Sequence, residues 1–569
     1  MKKPDETKGI FNKLPVSASE FIQLVIKKMR YRREVRQDVQ AELTAHFEDE
    51  LKDCKRDSER EQKARQLIAN FGDARLLAVL LRRAKKRCRP LWRTAVARTF
   101  QTTGIIILCF IVYVVWFFTG KPVITTDYVA ELNRINRPVT DETLNAAPLY
   151  NKAAERYSEL PEDISVLFRK KYWEFTTEQK QLMEKWLTDN QETLELVIAG
   201  TQRPYYCRTY GNKQNTSEMI SVILPNLRDF RNLARDLACR AWFRAEQGRY
   251  KDAFNDVKSC YRFGRHLKGD KFFIEQLVAF SVEKMATQTL RDILSEHRIN
   301  AAILAKLQND YEKMIADENF VIGLAAEKMS LYDEIQRCFT ADGPGGGHLY
   351  IKRVRQIAEP FDWDRADSWL AANFVRVLFT HPNKQQTLTA ATKFYGYIQE
   401  ATLKTPARIR TEQIDIDQEL QRLTSSNVLF SIFLPAFERI IEYSYQNKAD
   451  VQGTLSIIAM LRYKQDTGGY PENLEQLIAD AYLKELAMDP YTDEQLVYRR
   501  TADNFILYSF GRNFKDDGGK SEIDRKGRPR MWDDDGDRVF WPVPKYEAQD
   551  NDVPPKDEQA QPHRNLIVN

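Results

Sequence analysis

The sequence predicts a mainly α-helical chain: a basic cytoplasmic helical bundle, one transmembrane helix, an irregular α-helical outer domain and a small α+β C-terminal module. Three observations predict this arrangement. Residues 99–120 contain no charged side chain, in a chain where 29% of residues are charged. Charge is divided across that gap: residues 1–98 carry 25 Lys and Arg against 14 Asp and Glu, whereas residues 121–569 carry 61 against 67. Elsewhere apolar residues recur mainly at helical spacing, and strand-type aromatic alternation is confined to the C-terminal part. An apolar fraction of 43% is ample for packed cores and excludes wholesale disorder.

The first element is the basic domain, residues 1–98. Ser17 with Glu20, and Ser58 with Glu61, match capping boxes, in which the two side chains satisfy each other's orphan backbone donors. Val35, Val39, Leu43, Phe47 and Leu51 recur every four residues and predict one apolar stripe on a long helix. Ala64, Leu67, Ile68 and Phe71 make the stripe of the next helix, which Gly72 ends. Asp73 then caps a last helix carrying Leu76, Leu77 and Leu80. The segments REVRQDVQAELTAHFEDEL and EQKARQLIANFGDARLLAVLL resemble the permease-prefix (HAAS-type) helical domain, found before the first membrane segment of some bacterial permeases and signalling proteins. The likeness covers residues 20–85 and implies a regulating or connecting role in a bacterial membrane protein. A multi-span permease is missing, because one apolar segment follows.

That segment, Thr99–Gly120, would form a helix about 33 Å long, against a hydrocarbon core of about 30 Å. Its strongly apolar part is Gly104–Phe118. Arg82, Arg83, Lys85, Lys86, Arg87, Arg89, Arg93 and Arg98 crowd its N-terminal side. The positive-inside rule therefore puts the N-terminus in the cytoplasm and residues 121–569 beyond the bacterial inner membrane. The basic run is expected to meet lipid headgroups rather than nucleic acid. Cys207, Cys239, Cys260 and Cys338 fall outside, where three disulfide pairings are open. Cys239 and Cys260 lie on apolar helical faces and read equally well as buried thiols.

In the outer domain, residues 121–340, Leu233, Leu237, Ala238, Ala241 and Ala245 line one helical face. Gln247–Tyr250 makes a turn, and Ala253, Phe254, Val257, Cys260 and Tyr261 line the next face. This hairpin resembles one tetratricopeptide (TPR) unit. A solenoid needs at least about three, so the domain is expected to be irregular, with a TPR-like groove as the form a binding surface would take. Residues 341–451 open with Asp342-Gly343-Pro344-Gly345-Gly346-Gly347-His348, which reads as a flexible loop, or a ligand loop through His348, before further helices. From 452 to 544 the order is helix, Gly468-Gly469-Tyr470-Pro471, a short helix at Leu474–Leu483, Asp489-Pro490, and strands around Leu496–Tyr498 and Phe505–Ser509. Over 452–541 this order resembles the globular end of type II secretion major pseudopilins. Those carry their apolar helix at the very N-terminus, so pilus assembly is not implied here. The polar tail, 545–569, is expected to be disordered.

Clustered acids in the C-terminal loops are the one candidate metal site: Asp516, Asp517, Asp533, Asp535 and Asp537. Calcium takes about six to eight oxygens, and Asp-rich turns with Gly can supply them. The pseudopilin resemblance implies calcium at such a loop. Against it, Asp533, Asp535 and Asp537 have EF-hand spacing but Gly is misplaced and Pro544 stands where the bidentate Glu belongs, so a solvated acidic turn is the other reading. No G-x-S-x-G, H-E-x-x-H or G-x-G-x-x-G occurs, and the six histidines are scattered. No catalytic residue and no other cofactor is indicated. The expected function is a membrane-anchored scaffold or sensor that binds an envelope protein or peptide. The alternative is an envelope hydrolase whose carboxylates converge only in space, and a calcium-stabilised structural protein comes third. A cleft of converging carboxylates would favour the hydrolase; an aromatic-rich helical concavity would favour binding.

Overall fold

A computed structural model describes residues 14–87, 91–137, 141–168, 170–211, 217–224, 226–316, 320–358, 378–434, 437–523, 530, 532 and 535–544. The chain divides into two compact units, Met1–Trp116 and Phe117–Asn569. Both are dominated by helices, as the sequence predicts.

The first unit contains α1 (Val16–Met29), α2 (Arg33–Leu51), α3 (Asp57–Phe71), α4 (Ala74–Arg87) and most of α5 (Leu91–Thr119). Val39, Leu43, Phe47 and Leu51 of α2 are buried together with Phe21, Ile22 and Val25 of α1, as the four-residue spacing predicts. Two details differ. Neither expected capping box forms: α1 begins after Pro15 and α3 after Arg56, neither with a side-chain cap, and Ser17 lies inside its helix with a buried, unpartnered hydroxyl. On α4 the inward face is Ala74, Leu77, Ala78 and Leu81, while Leu76 and Leu80 stand exposed. Gly72 does end α3, at φ +69°, and the Asp73 carboxylate accepts from the Arg75 backbone N at 2.7 Å. Ala95–Thr119 is long and apolar enough to cross a membrane, and Ile105, Ile106, Leu108 and Val112 on it are exposed.

The second unit continues with α6 (Tyr128–Asn136), α7 (Ala147–Arg156), α8 (Glu162–Leu167), α9 (Thr177–Asp189) and α10 (Gln191–Thr201). A central group follows: α11 (Leu227–Glu246), α12 (Tyr250–His266), α13 (Phe273–Glu296) and α14 (Ala301–Ile315). The predicted hairpin is present, with Leu233, Leu237, Ala238, Ala241, Ala245, Ala253, Val257, Cys260 and Tyr261 all buried and Gly248 at φ +73° between the helices. Helix α13 crosses α12 closely because Gly264 has no side chain; a Cβ there would lie 2.9 Å from the Ala279 carbonyl. Then come α15 (Ala325–Cys338), α16 (Ile351–Ala358), α17 (Lys384–Thr402), α18 (Pro406–Thr411), α19 (Ile416–Ser426), α20 (Val428–Phe433), α21 (Phe437–Thr467) and α22 (Glu475–Ala479). Over 384–467 two long helices, α17 of 19 residues and α21 of 31, are thus separated by three short ones.

The last described elements are three antiparallel strands, β1 (Val497–Arg500), β2 (Phe505–Ser509) and β3 (Arg538–Trp541), in the order β1-β2-β3. They are no separate module. Phe505, Leu507, Phe540 and Trp541 share one continuous core with Leu237, Leu290, Ile457 and Ile458. The boundary expected at 451 falls in the middle of α21, which packs on both α13 and β3. Cys207, Cys239, Cys260 and Cys338 are free thiols, the last three fully buried.

Candidate functional site

Asp537 is buried, and its carboxylate accepts from the backbone N of Gly519 at 2.7 Å and of Asp517 at 3.2 Å. Burial raises its pKa, with the nearby Asp517 and Asp516 adding to the rise. Asp517 accepts from Asn513 at 2.8 Å. Asp516 accepts from the Tyr508 hydroxyl and the Gly518 N, both at 2.8 Å, and pairs with Arg499 at 3.0 Å. Its burial would raise its pKa, but those donors outweigh that and hold it below the usual range. The structure therefore brings the loop of Asp516 and Asp517 against Asp537, just before β3, and each of the three carboxylates accepts from a protein donor. Asp535 is exposed, and Asp533 lies outside the described residues. Among the described residues no group of three or more His, Cys, Asp or Glu side chains is arranged to hold a metal ion.

Two clefts were not foreseen. The first, about 430 Å³, runs between α12 and α14. Its floor includes Val257, Leu290, Leu307, Tyr311 and Met314, all buried, and its rim carries Lys251, Lys258 and Lys306 with Asp310. None of these lysines has an ion-pair partner among the described residues. The floor follows from helical spacing: Leu307, Tyr311 and Met314 sit on one face of α14. The single acid at the rim is no converging carboxylate pair.

The second cleft, about 340 Å³, lies between α13 and α21 and is lined by Leu277, Phe280, Ser281, Lys284, Gln446, Asn447 and Trp532 among others. Beneath it lies a buried charge network. One oxygen of Asp450, Oδ1, takes Arg291 at 2.9 Å and Arg538 at 2.7 Å, and its Oδ2 accepts from the Trp532 indole at 2.9 Å. Arg291 donates further to the Thr454 hydroxyl at 2.6 Å and the Asp450 carbonyl at 3.1 Å. Burial would raise the Asp450 pKa, but the two guanidiniums hold it well below the carboxylate range. Lys284 is pushed down to about 8, chiefly by burial and also by the neighbouring Arg538 and Arg291, against the opposing pull of Asp450. Arg291 and Asp450 lie on helices that carry several other charges, so nothing in the local sequence distinguishes them. Lys284 carried no signal of its own, because what marks it is the company of residues 166 positions away at Asp450 and beyond.

Compared with family models, curated proteins and solved structures, the chain finds no significant match.

Proposed function

We propose that this chain is a membrane-anchored envelope scaffold or sensor, whose groove between α12 and α14 holds an acidic, partly apolar segment of a protein or peptide. The carrying observation is the pairing of an apolar floor with three lysines that lack ion-pair partners among the described residues. An apolar floor contributes affinity by burial, at about 25 cal/mol per Å², while rim charges select the partner and speed its approach. In the same reading α5 anchors the chain in a bacterial inner membrane, with the basic residues 82–98 against anionic headgroups and the N-terminus in the cytoplasm. The hydrolase alternative draws less support: Asp310 stands alone at one cleft, Asp450 at the other is bound by two arginines, and the acids of a third, wider cleft of about 820 Å³, Asp189, Glu192 and Glu195, are exposed on its surface.

The test uses two synthetic helical peptides with Leu on one face and either Glu or Lys on the other. The Glu peptide is expected to bind the detergent-solubilised protein, and the Lys peptide to bind roughly tenfold more weakly or not at all. Lys251→Glu, Lys258→Glu and Lys306→Glu together should invert that preference. Equal binding of both peptides, or a preference that survives the charge reversal, would sink the groove reading.

A further inference from the structure

We infer that the cleft between α13 and α21 is a second binding site, specific for a small apolar α-amino carboxylate, with the carboxylate on Lys284 and the α-nitrogen on Asn447 Oδ1. Charge is the first part of the case. Three cations, Lys284, Arg291 and Arg538, gather around one carboxylate, Asp450, which is already spent on the two arginines. The Lys284 ammonium makes no hydrogen bond or ion pair among the described residues, although its side chain lines the cavity. Lys284 is half-buried, and a cation that lines the cavity without a partner of its own is left for an anion brought by a ligand.

Asn447 supplies the second part. It is 4% exposed, and its Nδ2 donates to Glu283 Oε2 at 2.5 Å. Glu283 in turn pairs with Lys268 at 3.0 Å, so it stands as an acceptor and fixes which way the Asn447 amide faces. The carbonyl Oδ1 is consequently turned the other way, and it is buried without a hydrogen-bond partner. A cavity lined by an unused donor cation and by a residue with an unused acceptor suits a ligand that carries both an anion and an N–H. Leu277, Phe280 and Trp532 give the remaining wall, which suits an apolar side chain, and about 340 Å³ is at the small end of ligand cavities. The same group is offered by a free amino acid or by the C-terminal residue of a peptide. This inference does not rest on the groove between α12 and α14.

Isothermal titration of the full chain in detergent micelles tests it, with four probes: L-phenylalanine, 3-phenylpropionate, phenethylamine and Gly-Gly-Phe. L-phenylalanine should bind, 3-phenylpropionate about tenfold more weakly for want of the donor, and phenethylamine not measurably. Lys284→Met should abolish binding and Lys284→Arg should retain it, with circular-dichroism melts run alongside. If Lys284→Met does not fold, Lys284→Gln carries the same comparison. Gly-Gly-Phe binding as tightly as L-phenylalanine would assign the cleft to peptide C-termini, and its failure to bind would assign it to free amino acids. No binding of either α-amino carboxylate, or binding unchanged in the folded Lys284→Met or Lys284→Gln protein, would overturn the site.

Discussion

At Asp236 a carboxyl group is fully buried on α11, where the Trp186 indole donates to both its oxygens at 3.1 Å and the Tyr157 hydroxyl to Oδ2 at 3.0 Å. Burial pushes its pKa up to about 7, against the lowering effect of those two donors. An acid whose folded pKa is raised binds its proton more tightly in the folded chain than in the unfolded one. Stability therefore falls as pH rises from about 4 to 7, and the full penalty stands above 7, on the order of 4 kcal/mol. Asp236→Asn removes the charge and keeps an acceptor for Trp186 or Tyr157. Its thermal midpoint relative to the parent is expected to rise steadily between pH 5 and 8. A difference between the two proteins that does not move with pH would refute the buried, protonated carboxyl. Nothing in the local sequence around Asp236 marks it, because its neighbours in space, Tyr157 and Trp186, come from other helices. The same holds for Lys284 and Asn447: apolar stripes declare themselves by spacing, whereas a polar site is made by convergence of distant residues.

The turn Asp342–His348 was expected to be a flexible loop, and it is instead a tight, hydrogen-bonded element. Thr340 N donates to the His348 carbonyl at 2.9 Å, His348 N donates to the Thr340 hydroxyl at 3.1 Å, and a bridge joins Phe339 to Leu349. His348 Nε2 bonds to the Phe117 carbonyl at 2.7 Å, and the Ala341 N donates to the Lys121 carbonyl at 3.0 Å, so the turn holds the first residues of the second unit. Glycine content suggested freedom, but here the glycines serve close approach. Gly347 lies at φ +113°, and a Cβ there would stand 1.9 Å from the Thr340 carbonyl oxygen. Gly347→Ala is expected to cost about 1–3 kcal/mol from the backbone alone, and more from the clash. Gly396, exposed within α17 with nothing near its missing Cβ, is the control: Gly396→Ala should stabilise by about 0.5–1 kcal/mol. Urea midpoints of the two variants decide this, and equal midpoints would return the turn to a loop. Helices and strands were legible because periodicity is local. The capping boxes of α1 and α3 misled because each helix starts ahead of its serine, which leaves Ser17 inside the helix.

Across the second unit, residues far apart in sequence are tied by buried charged contacts. Asp450 on α21 holds Arg291 of α13, Arg538 of β3 and the Trp532 indole at once, and removing one partner of such a buried pair typically costs about 3–5 kcal/mol. That tie is why the C-terminal strands, though recognisable by their own alternation, share a core with the helices and do not stand as a module. The division that does exist falls at Trp116 and Phe117, inside the one helix among the described residues that is long and apolar enough to cross a membrane. In the proposed topology the charge contrast of residues 1–98 against 121–569 sets the orientation of that helix. A reporter active only outside the cytoplasm decides the matter when fused after Asn569 and, in a second strain, immediately before Thr99. Activity from the C-terminal fusion alone is the expected result. Equal activity from both, or from neither, would remove the proposed orientation. The groove between α12 and α14 would then have to be tested against cytoplasmic peptides rather than envelope ones, because its lysines would select among a different set of partners.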